Sequence, residues 1–420
     1  MKIYFDHSAT TPVDKRVLEV MLPYFSEKFG NPSSVHSFGQ EAMKAVDEAR
    51  QKAADFLGCA PEEIIFTSGA TEADNLAILG TVNFVTPSFS SDKSGLKAGD
   101  TAAVTNPHII TTAFEHPAVL ETCKHLEKKG VEVSYVKPNT DGIISVADIE
   151  KEIRDNTILV SVMYVNNEIG TIQPIREIGE LVKKINTERM TREPSSPDIR
   201  QGRRDDILIG FHTDAVQATL YENMNVSELG VDLMSISGHK IYGPKGIGIL
   251  YVKKGTKLKN IQHGGHHEFG LRPGTLNTPL IVGIGQALEL IKNRDNEKIK
   301  NLRDYLWTEL QKNISDLKLN GNWEKSVPGN LNVSVSGVEG EAMLLGLDLE
   351  GIAVSTGSAC SSGSLEPSHV LMALGMSHEQ AHGSLRVTLG EENTKEECDQ
   401  LIKILKPLVE KFRNMAPKNV

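Results

Sequence analysis

Short apolar runs alternate with helix-patterned stretches from residue 41 to residue 243, and this alternation limits the fold more than any other feature. EAMKAVDEARQKAADFLG (41–58) spaces its apolar residues as a helix does and stops at Gly58. EEIIFTSGATEADNLAILG (62–80) reads as a strand, a Ser/Gly/Thr turn and a helix, and HIITTAFEHPAVLETCKHLEKKG (108–130) repeats that order. VEVSYVKP, TILVSVMYVNNEIG (157–170), DILIGFHTDAVQA (206–218) and VDLMSISGHKIYG (231–243) supply further strands. Strands separated by helices predict an α/β fold with a mainly parallel sheet, since parallel neighbours need a crossover between them. Ligands of such sheets bind beyond the carboxyl ends of the strands.

Two polar stretches rich in Pro, Gly and Ser, 83–107 and 186–206, interrupt the rhythm and read as surface loops or insertions. Near residue 265 the pattern changes to a long helix-like run followed by shorter elements, which predicts a second, smaller α+β domain. The expected division is 13–265 for the large domain, and 1–12 with 266–420 for the small one. A formal net charge of −10 argues against nucleic acid or an anionic membrane as partner. No apolar window approaches a membrane span, and MKIYFDHSATTP lacks a charged-then-apolar leader pattern. The four cysteines, Cys59, Cys123, Cys360 and Cys398, are scattered, which predicts a reducing, cytoplasmic setting rather than a disulfide framework.

Chemistry collects where the strands end. SISGHKIYGPKG (235–246) puts Lys240 after a buried strand, in a turn of Gly238, Gly243, Pro244 and Gly246, where backbone can approach a ligand. FTSGATE (66–72) opens a helix at Ala70 and Thr71, and the free N–H groups there suit a phosphate. In FEHPAVL (114–120), His116 precedes a helix that starts with Pro117, a position equally suited to a cap. In VNNEIG (165–170), Asn167 can hold a carboxylate or a ring oxygen, or merely close an Asn-rich turn. In FHTDAVQA (211–218), Asp214 ends a strand, with Gln217 three residues on. A buried carboxylate needs a partner, and a protonated pyridine nitrogen is one. Asp214 precedes Lys240 by 26 residues, with one strand between.

Together these groups predict a site for pyridoxal 5′-phosphate: the aldehyde takes Lys240, the ring nitrogen takes Asp214, and the phosphate takes a helix N-terminus with Ser237 and His239. STGSACSSGS (355–364) surrounds Cys360 with small, flexible residues that pack poorly, which suits a thiol that must move. The other three cysteines fit the pattern of small buried hydrophobes. Arg386 lies in SLRVTLG, which alternates like a strand, and a guanidinium there can clamp a carboxylate. HGGHHEFG (263–270) brings three histidines together without regular metal-ligand spacing.

The chain resembles the class-V aminotransferase-like group of fold-type I pyridoxal-phosphate enzymes, and within it the cysteine desulfurases of iron–sulfur cluster assembly. The matching stretches run from FDHSATTPVD and FGNPSSVH, through FTSGATEADNLAI, EHPAVL, VNNEIGTIQPI, HTDAVQA and SGHKIYGPKGIGILYV, to RPGTLN, VSTGSACSSGSLEPSHVLMALG and SLRVTLG. The resemblance implies a large domain built on a mainly parallel seven-stranded sheet flanked by helices, plus the small α+β domain carrying the cysteine loop.

It also implies roles. Lys240 holds the cofactor aldehyde and moves protons, and His116 stacks on the ring and helps in acid/base steps. Asp214 pairs with the ring nitrogen, Gln217 with the ring hydroxyl. Ala70, Thr71, Ser237 and His239 hold the phosphate, joined by Thr275 of a partner subunit in a homodimer. Asn167 also contacts the cofactor and, with Arg386, binds the substrate carboxylate. Cys360 takes sulfur from L-cysteine, leaving L-alanine, and passes the persulfide to an acceptor, either an iron–sulfur scaffold or a thiolation carrier. No resident metal is implied, only contact of Cys360 with a transient iron–sulfur cluster. The two polar insertions are longer than the family pattern. A selenocysteine lyase, or another lyase or aminotransferase of the same fold, remains the alternative.

Overall fold

The structure is a computed structural model that describes residues 2–86, 104, 106–191, 208–292, 294–356 and 366–415. A short strand, β1 (Ile3–Tyr4), starts the chain. Seven strands then build one sheet: β2 (Ile64–Thr67), β3 (His108–Thr112), β4 (Glu132–Val136), β5 (Thr157–Ser161), β6 (Gly210–Asp214), β7 (Leu233–Ser237) and β8 (Gly248–Val252). Their order is β2-β8-β7-β6-β5-β3-β4. Only β8 runs against its neighbours, so β2, β3, β5, β6 and β7 all end on one edge.

Both faces of this sheet are covered, and side-chain alternation assigns the residues to each. Ile64, Ile110, Val160, Met234 and Ile249 pack on one face with Ala49 and Ala53 of the helix Ser37–Leu57 and Ile281 and Ile284 of the helix Thr278–Ile291. Their chain neighbours Ile65, Ile109, Leu159, Leu233 and Leu250 pack on the other face with Leu76 and Ala77 of the helix Ala70–Val85 and Val119 of the helix Pro117–Glu127. Small residues let the first two helices touch: a Cβ added to Gly285 would lie 2.8 Å from that of Ala49.

A second core belongs to an antiparallel sheet of β9 (Leu317–Leu319), β10 (Asn330–Val335) and β12 (Ser384–Thr388), in the order β12-β10-β9. The strand β11 (Ile352–Ala353) pairs in parallel with β1. Ile3 and Phe5 join this core with residues from Ile299 to Val409. The residues expected together as 266–420 therefore divide by packing, because the apolar face of Thr278–Ile291 lies in the first core.

The polar stretches expected as loops are partly helical. The helix Ala70–Val85 reaches into the first and the helix Ile175–Thr191 into the second. Asn, Thr, Glu and Arg are acceptable helix residues on a solvent face, so polarity alone mislocates such ends. Residues 87–103, 105 and 192–207 lie outside the described residues.

Candidate active site

Every strand-end residue singled out from the sequence falls on the carboxyl edge of the seven-stranded sheet or beside it. After β2, Gly69 caps the helix that starts at Ala70 and Thr71 with φ 154° and no side-chain cap, leaving its first amides for a ligand. β8 crosses directly behind: a Cβ on Gly248 would lie 2.6 Å from the Gly69 carbonyl carbon, so the backbone passes there only because Gly248 has none. Glu72 accepts from the Ser68 N–H at 2.6 Å and pairs with Arg272 at 2.9 Å, fixing the turn.

β7 ends at buried Ser237 and runs into a single 3₁₀ turn, Gly238–Lys240. Lys240 Nζ donates to the Ser8 carbonyl and, at 2.8 Å, to the Ala9 carbonyl. Gln217 Nε2 donates to the same Ser8 carbonyl at 3.0 Å. The segment 6–11 is thus a strap across the site. Thr11 pins it by donating to the His239 carbonyl from its N–H at 2.9 Å and from its Oγ1 at 3.0 Å. His239 Nδ1 meets Thr10 Oγ1 at 3.2 Å, and burial, aided by the Lys240 charge, pushes its pKa down to about 4.

β6 delivers Asp214, which is buried and accepts from the Val216 N–H at 3.0 Å. Burial raises its pKa, and its interactions with His116, the Val216 N–H and Lys240 oppose the rise. His116 caps the helix Pro117–Glu127 by accepting the Ala118 N–H at Nδ1, 3.1 Å away, which leaves the proton of the neutral ring on Nε2. Burial lowers its pKa, with Asp214 pulling the other way. The cap uses Nδ1 alone, so it leaves Nε2 available to the proposed site.

The two asparagines of VNNEIG divide the work. Asn166 closes the turn, its Oδ1 accepting from Glu168 and Ile169 N–H at 2.9 and 3.1 Å. Asn167 Oδ1 is buried with no hydrogen-bond partner. Arg386, buried on β12, donates from Nη1 to the Asn167 carbonyl at 2.8 Å and from Nη2 to Asp6 Oδ1 at 2.9 Å. Thr275 is exposed, in a turn held by the Arg272–Glu72 pair and by a buried pair of Arg50 with Glu268.

Cys360 lies outside the described residues, but both flanks of its segment meet the site. Ser355 exchanges backbone hydrogen bonds with Arg386 at 3.1 and 2.7 Å. Ser368 Oγ donates to Glu168, and His369 Nε2 meets the Glu115 carbonyl at 2.9 Å. The described thiols Cys59, Cys123 and Cys398 are unpaired, and burial pushes each up to about 12, far from thiolate. Among the described residues no cluster can hold a metal ion.

Four buried polar groups beneath this edge were not read from the sequence. Glu115 accepts from Thr112 Oγ1 at 2.7 Å and Met163 N–H at 2.8 Å through one oxygen only, and burial lifts its pKa to about 8. Glu168 is lifted by burial to about 7. His212, two residues before Asp214, contacts Ser161 at 2.8 Å and Ser235 at 3.1 Å. Asp74 lies 3.5 Å from His212 Nε2; burial pushes the imidazole down to about 3 and lifts the Asp74 carboxyl well above the usual carboxylate range. Only Glu115 and Glu168 had a signal, as polar residues next to quoted ones.

The residues present fit pyridoxal phosphate. A capless helix start can take an anion, a lysine and a buried carboxylate lie close by, and the orphaned Asn167 Oδ1 can accept from a donor such as a ring hydroxyl. The chain matches the family model "Aminotransferase class-V" over residues 3–188 and 197–401. It is 46% identical to the cysteine desulfurase IscS of Dictyoglomus turgidum, over 99% of this chain and 96% of that protein. It is also 46% identical to the cysteine desulfurase IscS of Methanosarcina thermophila, over 99% and 94%. Among solved structures it is similar to a NifS-like protein, with TM-score 0.83 and 36% identity over 98% of this chain and 100% of that one. It is also similar to SspA in complex with cysteine, with TM-score 0.74 and 36% identity over 93% and 99%.

Proposed function

The chain belongs to the class-V aminotransferase family, and from that premise we propose that it is a pyridoxal-phosphate-dependent cysteine desulfurase that moves sulfur from L-cysteine through Cys360 to an acceptor. The observation that carries this reading is the convergence of Lys240, His116, Asp214, Asn167 and Arg386 on one sheet edge, with both flanks of the Cys360 segment beside them.

Bound at this edge, pyridoxal phosphate supplies an electron sink that stabilises negative charge at the substrate α-carbon. Asp214 keeps a carboxylate at the ring-nitrogen position. Arg386 and Asn167 hold the substrate carboxylate. The Lys240 amine, placed by the Ser8 and Ala9 carbonyls, takes the α-proton and returns it. His116 Nε2 carries a proton toward the same space. The Cys360 thiolate attacks the substrate sulfur; the Cβ–S bond breaks and the carbon takes its electron pair and a proton. L-cysteine and the Cys360 thiol become L-alanine and a persulfide, with no outside oxidant. The Cys360 assignment rests on its segment's flanks, on the burial of Cys123 and Cys398, and on the half-buried Cys59, whose thiol is also pushed up to about 12 by burial.

We read the protein as a cytoplasmic homodimer serving an iron–sulfur scaffold or a thiolation carrier. Large apolar side chains crowd one exposed stretch: Leu18, Leu22, Phe25, Phe29, Val35 and Phe38, with Phe29 and Phe38 rings 5.9 Å apart. A patch of this kind fits an interface, and exposed Thr275 can then serve a partner's phosphate. No helix among the described residues is long and apolar enough to cross a membrane.

The test is limiting L-cysteine without reductant, followed by intact and peptide masses. One added sulfur on the Cys360 peptide, with alanine released and neither signal in Cys360→Ser, is the expected result. Alanine without sulfur on that peptide would point to a lyase in which Cys360 is incidental.

A further inference from the structure

We propose that Asp6 is a built-in competitor for the substrate carboxylate at Arg386, and that it sets the enzyme's affinity for its amino acid. The inference rests on the reading above that Arg386 anchors that carboxylate.

Arg386 is fixed and nearly closed off, its side chain 4% exposed; Asp6 is 18% exposed. Asp6 engages the guanidinium through a single contact, Nη2 to Oδ1 at 2.9 Å. Nη1 is taken by the Asn167 carbonyl, and Nε is buried with no partner. Carboxylates bind guanidinium groups best through two parallel N–H donors. Asp6 does not reach that arrangement, and its backbone is not free to improve it. The Phe5 N–H donates to the Ala353 carbonyl at 2.8 Å, and the Thr388 N–H to the Phe5 carbonyl at 2.8 Å. On the other side, the Ser8 N–H donates to Thr388 Oγ1 at 3.0 Å and the Ala9 N–H to the Asp6 carbonyl at 2.9 Å. The strap is thus fastened to β11 and β12 on both sides of Asp6.

The consequence is an exchange rather than a simple docking. A buried guanidinium without a counter-charge is costly, and Asp6 removes that cost while the site waits. An arriving α-carboxylate is not tied to the strap and can use two donors. Asp6, the more exposed partner, can then turn its oxygens to water. Substrate affinity is therefore the difference between two carboxylates at one arginine, not the full strength of the new pair.

The experiment uses the cofactor-loaded protein with Asp6→Asn, Asp6→Ser and Asp6→Glu. KM for L-cysteine is measured from alanine release, and binding of L-alanine from the bound cofactor's absorbance. Replacing the charged acceptor by a neutral one should lower KM and tighten L-alanine about three- to tenfold, with kcat little changed. Asp6→Glu keeps the charge on a longer stem, can reach two donors and should raise KM. Cysteamine, which lacks the carboxylate, should bind all four proteins alike. A KM that rises in Asp6→Asn and Asp6→Ser, or that moves in none of the variants, overturns the proposal. Arg386→Lys run in parallel separates the two failures. If it leaves KM unchanged, the anchor reading falls. If it raises KM while the Asp6 variants do not move, only the competitor is lost.

Discussion

Arg50–Glu268 and Arg386–Asp6 both set a buried arginine against a carboxylate, and they are built differently. Arg50 meets Glu268 through two nitrogens, at 3.1 and 2.5 Å, and also donates to the Ile64 carbonyl. Its guanidinium lies between the rings of Phe66 and Phe269, 4.8 and 5.3 Å from their centroids. Glu268 accepts once more, from the Phe66 N–H at 2.7 Å. This pair is closed: it fastens the turn before Thr275 to β2, although Glu268 and Phe269 must adopt positive φ to do so. Arg386 has one carboxylate oxygen, one carbonyl and an orphaned Nε. The closed pair spends its donors on holding the structure together, whereas the donor left over at Arg386 is what the proposed substrate carboxylate would take.

Breaking the closed pair should cost most. Glu268→Ala leaves Arg50 buried without a counter-charge and should destabilise the fold by roughly 3–5 kcal/mol in denaturant unfolding, with KM for L-cysteine unmoved. A loss below about 1 kcal/mol would show that the pair is not structural. At the open pair, Arg386→Lys keeps the charge but loses the planar fork. It should raise KM about 10- to 100-fold with little change in unfolding. Equal stability losses at the two pairs would erase the distinction.

The same contrast holds for carboxylates. Glu115, with one oxygen unpaired, keeps its proton up to about pH 8, whereas the unfolded chain loses it near 4.5. Over that window the folded state binds more protons, so this group's contribution falls as pH rises, by at most about 1.4 kcal/mol per unit. Glu115→Gln should remove that slope from stability measured against pH. His212 acts in the opposite sense: held neutral down to about 3, it takes stability away as pH falls below 6.5. The smallest effect is expected at Asp74. An amide resembles a protonated acid, so Asp74→Asn should shift stability by under about 1 kcal/mol and leave cofactor absorbance unchanged. A loss several times larger would show that Asp74 is ionised.

The sheet and the strand-end residues were legible because both depend on short-range pattern. Lys240, Asp214 and His116 each sit where an apolar run meets a turn, and turn chemistry is written within a few residues. Asn167 was singled out, but the closing of the turn by Asn166 was not, since only the folded turn decides which amide closes it. Asp6 was quoted but given no role, because its partner lies 380 positions away in sequence. The Ser8 and Ala9 carbonyls that place Lys240 have no sequence signature, since every residue carries a carbonyl. His212 and Asp74 passed as ordinary members of a strand and a helix.

By itself the sequence determined the α/β architecture and named most of the side chains that meet at the edge where we propose the ligands bind. Apolar periodicity and Gly, Pro and Asn at the breaks suffice for that, because they act through local backbone geometry. Only the tertiary structure decided which charges are closed and which are left open: the strap over Lys240, the one-point hold of Asp6 on Arg386, and the buried carboxyl groups beneath Asp214 whose pKa burial raises. Those depend on desolvation and on hydrogen bonds between distant segments, and neither exists until the chain has packed.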